Sequence, residues 1–221
     1  MFPLNVWVVL NFNSHRLFYF YYMNKFMWII LSVIAVFALI MSYSFRFKNI
    51  ETPNYTVLKK MDNVEIRQYP SLILAQTKLK SGRYDGNEDN GFRTVAGYIF
   101  GGNQKQVKIA MTAPVIMNMS DSSASMSFVM PSEYQMEDLP KPNSEQVQLQ
   151  KQDPMILGVL TFGGFASQNK IQKYADELKT VLERNNIGIK GSVLFMGYNA
   201  PWDVIGRKNE VAFQITDGYL P

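Results

Sequence analysis

Cysteine is absent from the 221 residues, and histidine occurs once, at His15. The first absence excludes disulfides, thiolate metal sites and cysteine nucleophiles. The second leaves the chain after residue 15 without an imidazole for general-base work or metal ligation. Charge is scarce at the N-terminus, where Arg16, Lys25, Arg46 and Lys48 are the only charged residues up to Ile50. These are four of 22 basic residues, so 18 remain to balance 18 acidic ones, and the region after Ile50 is neutral. The pI of about 9.1 therefore reflects basic residues around an apolar run rather than a basic face. Nucleic acid, which needs clustered Lys and Arg, is excluded as an expected partner. Also missing are G-x-S-x-G, a P-loop lysine and GxGxxG spacing; Gly101-Gly102 and Gly163-Gly164 match none of them. The pairs Glu88-Asp89 and Glu137-Asp138 lie in turn-rich stretches and look like solvated loops. Binding rather than catalysis is the expectation.

What is present begins with Phe26 to Phe45, 20 residues without a charge. About 20 apolar residues span a hydrocarbon core, so residues 26–45 are expected to form a transmembrane segment or signal-anchor. The domain behind it is then exported on a single-pass membrane protein. A cleaved signal peptide is the alternative, with Ser42 and Ser44 as small residues near a cleavage site and a secreted product. Orientation is weakly specified, because Arg16 and Lys25 balance Arg46 and Lys48. Residues 1–25 form an N-terminal extension whose working start is expected at Met23. Residues 46–54, polar and containing Pro53, are the linker, and 55–217 form one domain.

Within that domain strand patterns cover Tyr55–Lys60, Val64–Tyr69 and Leu72–Leu79, with Asp62-Asn63 as a turn. Phe92, Val95, Ala96 and Ile99 then recur at helical spacing, and Gly101-Gly102 ends the helix. Strand patterns return over Lys108–Met119 and Ser125–Met130. A second series follows: strands Val147–Lys151 and Met155–Phe162, a helix Asn169–Arg184, then strands Val193–Tyr198 and Glu210–Ile215. Strands, helix, strands occurs twice. The expected fold is α+β, a distorted β-barrel of two halves related by a pseudo-twofold, each with one helix, behind the N-terminal transmembrane segment.

Two stretches carry chemistry: Lys108-Ile109-Ala110-Met111-Thr112-Ala113-Pro114-Val115, and Tyr198 to Val211 with Pro201, Trp202 and the basic pair Arg207-Lys208. Met111 reads either as a contact to a ligand or as a gap-filling core residue. Arg207 and Lys208 read as an anion-binding pair or as a solvated turn with Glu210 as a surface ion-pair partner. Tyr98-Ile99-Phe100-Gly101, KIAMTAPV, Phe128-Val129-Met130-Pro131, Phe162-Gly163-Gly164, Tyr198 with Pro201, and GRKNEV occur in that order. This ordered set resembles the SOUL haem-binding protein family from about Tyr55 to Ile215.

The resemblance implies non-covalent, non-enzymatic binding of haem or another tetrapyrrole or apolar ligand in a shallow cleft beside the first helix. Haem requires an apolar wall, cations for its propionates and, optionally, an axial ligand. Phe92, Ala96, Ile99, Phe100 and Met111 are the expected wall. Trp202 lies near Arg207 and Lys208, which are expected to meet a propionate. Gly97 and Asp203 stand where some animal members resembling this chain carry lysines. Gly97 beside Ala96 leaves a smooth helix surface. These departures carry the alternative function, a protein-interaction or effector-binding module that has lost haem.

Overall fold

The computed structural model describes residues 25–38, 50–84, 88–200, 203 and 205–216. Two units result, Met1–Asn49 and Ile50–Pro221. In the first, residues 25–38 form helix α1. A helix of that extent rises about 21 Å, short of the ~30 Å hydrocarbon core. Among the described residues no helix is long and apolar enough to cross a membrane. The rest of the expected span, 39–45, the proposed start at Met23 and the first part of the linker, 46–49, lie outside the described residues.

The second unit is built on alternation. Strands β1 (Thr56–Met61), β2 (Val64–Tyr69), β3 (Leu72–Lys78), β4 (Val115–Asn118), β5 (Ser125–Val129), β6 (Gln148–Gln152), β7 (Met155–Gly163), β8 (Ile189–Gly197) and β9 (Lys208–Ile215) join two helices, α2 (Glu88–Ile99) and α3 (Gln168–Arg184). All nine strands form one antiparallel sheet ordered β1-β2-β7-β9-β8-β4-β5-β3-β6. The expected barrel is an open, curled half-barrel instead: β1 and β6 are its edges, so the hydrogen-bond ladder does not close. The repeat is visible in the order. Strands β3-β5-β4 mirror β7-β9-β8 about the β4/β8 pairing, where Val115 faces Gly197 and Asn118 faces Leu194. The strand just before β3 or β7 in each half crosses over, β2 pairing with β7 and β6 with β3, and β1 adds to the edge beside β2.

Because side chains alternate across a strand, the sheet has two faces with different cover. One face takes the helices. Helix α3 buries Ile171, Ala175, Leu178 and Leu182 against Leu160, Phe162, Val211 and Phe213. It starts at Ser167, whose side chain accepts from the Lys170 amide at 3.4 Å. Gly158 permits this approach, since a Cβ there would lie 3.0 Å from Leu182. Helix α2 buries Val95, Ala96 and Ile99 against Ala75, Met126 and Phe128. It ends in a Schellman motif: Gly102 N–H donates to Gly97 O at 2.8 Å and Gly101, at φ +112, to Tyr98 O at 3.4 Å.

One strand expectation needs correction. Of Lys108–Met119 only Val115–Asn118 is strand, because the preceding segment gives its amides to other partners. Ile109 N–H donates to Ile99 O at 2.8 Å and Ala113 N–H to Glu51 O at 2.9 Å, and Pro114 has no amide to donate.

Candidate functional site

The face opposite the helices carries a third apolar cluster, with Tyr69, Leu157, Val159, Met196 and Ala212 buried. At one end of it four neighbouring strands converge on Glu210, which is 0% exposed. Its Oε1 accepts from Arg67 Nη1 at 3.0 Å, Thr161 Oγ1 at 3.0 Å and Lys208 Nζ at 3.1 Å. Its Oε2 accepts from Tyr198 Oη at 2.6 Å. Register explains the meeting, since Thr161 and Met196 lie directly across the ladder from Glu210. Arg67, 4% exposed, also donates Nε to Glu65 at 2.8 Å and lies 4.4 Å over the Tyr55 ring.

Burial pushes the Glu210 carboxyl up, but the Tyr198 hydrogen bond and the Arg67 and Lys208 charges outweigh it and hold it below the ordinary range. Burial, then the Glu210 charge, pushes the Tyr198 phenol far up, so it remains a donor. The carboxylate is ionised, enclosed and fully accepted for. Beside it lies a cavity of about 240 Å3 walled by Leu72, Ile116, Met155, Leu157 and Met196, with Tyr69, Tyr198 and Lys208 at its polar end.

The residues expected from sequence do not converge on one surface. Ala96 and Ile99 are buried in the cluster under α2, and Phe92 and Met111, both half-buried, pack against it. Gly97 and Phe100 lie on the exposed side of that helix; Phe100 is 58% exposed, and nothing lies within 4 Å of where a Gly97 Cβ would be. Arg207 clasps its own loop, donating Nη1 to Ala200 O at 3.0 Å and Asp203 O at 2.6 Å, with its guanidinium over Phe165. Asp203 in turn accepts from the Ala200 amide at 3.2 Å. Lys208 points to the opposite face, onto Glu210 and 3.9 Å over the Tyr198 ring. Glu210 is thus a buried centre rather than a surface partner of Arg207. Trp202 lies outside the described residues.

Beside α2, Arg93 and Thr94 border an open recess of about 1110 Å3 that Lys78, Lys80, Asp121 and Glu145 also line. Arg93, Gly97 and Phe100 are at i, i+4 and i+7, one stripe of the helix. Sequence patterning passed over Arg93, Lys78 and Lys80 because isolated basic residues carry no spacing signal.

The profile of SOUL heme-binding protein matches residues 50–214, the whole sheet with α2 and α3. The chain belongs to the SOUL heme-binding protein family. Among SOUL relatives, mouse heme-binding protein 2 is 30% identical over 174 residues, covering 73% of this chain and 84% of that protein. The human counterpart is 31% identical with the same coverage. Pig heme-binding protein 1 is 27% identical, covering 75% of this chain and 93% of its own. The EcmrR C-terminal domain aligns with a TM-score of 0.53 at 10% identity, over 73% of this chain and 98% of that one, a likeness of fold alone. In this SOUL domain several motif residues are structural. Tyr98 donates to Pro140 O at 2.9 Å, and burial pushes its phenol up to about 12. Thr112 donates to Val129 O at 2.6 Å.

Proposed function

We propose that this SOUL domain binds haem or a related tetrapyrrole non-covalently and without catalysis, against the exposed stripe of α2. The observation that carries it is the opening at Gly97, where no side chain or neighbour obstructs a flat ligand. Phe100 offers an apolar contact on the same stripe. Arg93 to Phe100 covers about 10 Å of helix axis, comparable to a tetrapyrrole ring. Arg93, Lys78 and Lys80 border the adjoining recess and supply cations for propionates. The donor set favours surface binding: the domain has no histidine, Tyr98 Oη is committed to Pro140, and Met111 is half-buried against the cluster under α2. Bound haem supplies its own redox and ligand chemistry; the chain's part is to present an apolar face and fix the propionate end.

Haem titration of the full-length protein tests this. Gly97→Lys has room for its side chain and adds a cation to the stripe, so it is expected to tighten haem binding severalfold without loss of Tm. Arg93→Glu is expected to weaken it severalfold. Titrations of all three proteins that match an unrelated neutral protein would leave the alternative, a protein-interaction or effector-binding module.

We also propose that residues 26–45 tether the domain to a membrane, with the domain exported. Support comes from the 20-residue uncharged run and from α1, whose Trp28 and Phe37 are 66% and 63% exposed. The full-length protein is expected in the membrane fraction after alkaline carbonate washing; release into the supernatant would refute the tether.

A further inference from the structure

We propose a second ligand site on the open face of the sheet, taking a small amphipathic carboxylate, separate from the tetrapyrrole face on α2. The two lie on opposite sides: α2 packs on the helix-covered face, whereas this cavity is walled by the alternate residues of β4, β7 and β8.

Charge at the polar end decides the ligand's sign. Glu210 has both oxygens taken by four donors and no exposed surface, so it has nothing to offer a cation. Arg67 pairs with both Glu65 and Glu210, Lys60 with Glu65 and Lys208 with Glu210, so the cluster of three cations and two carboxylates holds one positive charge in excess. The excess sits where it can be reached, because the Lys208 side chain is 42% exposed and lines the cavity. An ammonium has three N–H donors, and Glu210 takes one. Tyr69 and Tyr198 flank it, and the Tyr198 ring steadies the ammonium from 3.9 Å.

Size and wall chemistry decide the rest. Leu72, Ile116, Met155, Leu157 and Met196 bring only carbon and thioether sulfur to the cavity. Its volume of about 240 Å3 lies below the ~300 to 1,000 Å3 of sites for drug-sized ligands. A tetrapyrrole does not fit, whereas the tail of a medium-chain carboxylate does. Its carboxylate then meets Lys208 in a charge-assisted hydrogen bond beside a low-dielectric wall.

The test uses full-length protein in phosphatidylcholine nanodiscs, with empty nanodiscs as the blank for lipid partitioning. Decanoate, decanol and decyltrimethylammonium are titrated calorimetrically. Saturable decanoate binding is expected, at least tenfold tighter than decanol, with no saturable binding of decyltrimethylammonium. Lys208→Gln is expected to weaken decanoate at least tenfold, and Ile116→Trp to abolish it while leaving the haem titration unchanged. Equal or tighter binding of decyltrimethylammonium, or no saturable decanoate binding to the unmodified protein, overturns the proposal. An unchanged decanoate affinity in folded Lys208→Gln does so as well. The three-probe comparison needs no variant, so it stands even where a substitution unfolds the domain.

Discussion

Glu210 carries a full charge at zero exposure, and Arg67 carries one at 4%. A buried pair of this kind is destabilising to break, because the surviving charge has no water to return to. Glu210→Gln is therefore expected to cost about 3 to 5 kcal/mol, read from urea denaturation. The acid limb supplies an independent check. The Glu210 carboxyl is held below its unfolded value, so it stabilises the fold above about pH 4.3 and that contribution is lost as pH falls through the folded value. Glu65, lowered first by its Lys60 hydrogen bond, adds an effect of the same sign. Stability of the wild type should fall below pH 4.3 more steeply than that of Glu210→Gln; equal slopes would assign the acid sensitivity elsewhere. Little of this centre was legible in the sequence. Arg67, Thr161, Tyr198 and Glu210 are far apart along the chain, and only the pairing register of β2, β7, β9 and β8 brings them together. A charged residue set in the apolar run of β9 was the one available signal, and it reads equally as a surface turn.

At the scale of elements, two glycines at the C-terminal end of α2, Gly97 within the helix and Gly102 just past it, have opposite requirements. Gly97 faces open space, so Gly97→Ala should recover the helix-propensity cost of about 1 kcal/mol and raise Tm. A Cβ on Gly102 would meet Gly97 O at 2.6 Å, breaking the Schellman cap, so Gly102→Ala should lower stability by about 1 to 3 kcal/mol. Melting curves of both variants check the pair; the same sign for both would refute this account of the cap. The positions of both helices and of most strands were legible, because their apolar residues recur at 3.6 or 2.0 and are buried for that reason. The same rule misplaced the ligand wall. Val95, Ala96 and Ile99 gave the helix its signal because they are buried against the sheet, which removes them from a ligand, and Phe92 packs half-buried beside them. Likewise Tyr98, Phe128 and Phe162 carry the family resemblance from core positions, 2%, 1% and 4% exposed, and so report the fold more directly than the ligand.

Across the whole domain, the exchange of β2 and β6 ties the two halves together. Strand β2 lies in the ladder of β7, and β6 in that of β3, so neither half can open without stripping a strand from the other. Chemical unfolding of the domain is therefore expected to be a single transition, with circular dichroism and tyrosine fluorescence changing together. Two separated transitions would mean that the halves are energetically independent. Two ββαββ units, β2 to β5 with α2 and β6 to β9 with α3, that each place their first strand in the other's ladder have the arrangement of a domain-swapped dimer written into one chain. On that view the β4/β8 pairing corresponds to the interface of such a dimer, and the covalent link between halves fixes a local concentration that a pair of separate units would need a partner copy to supply.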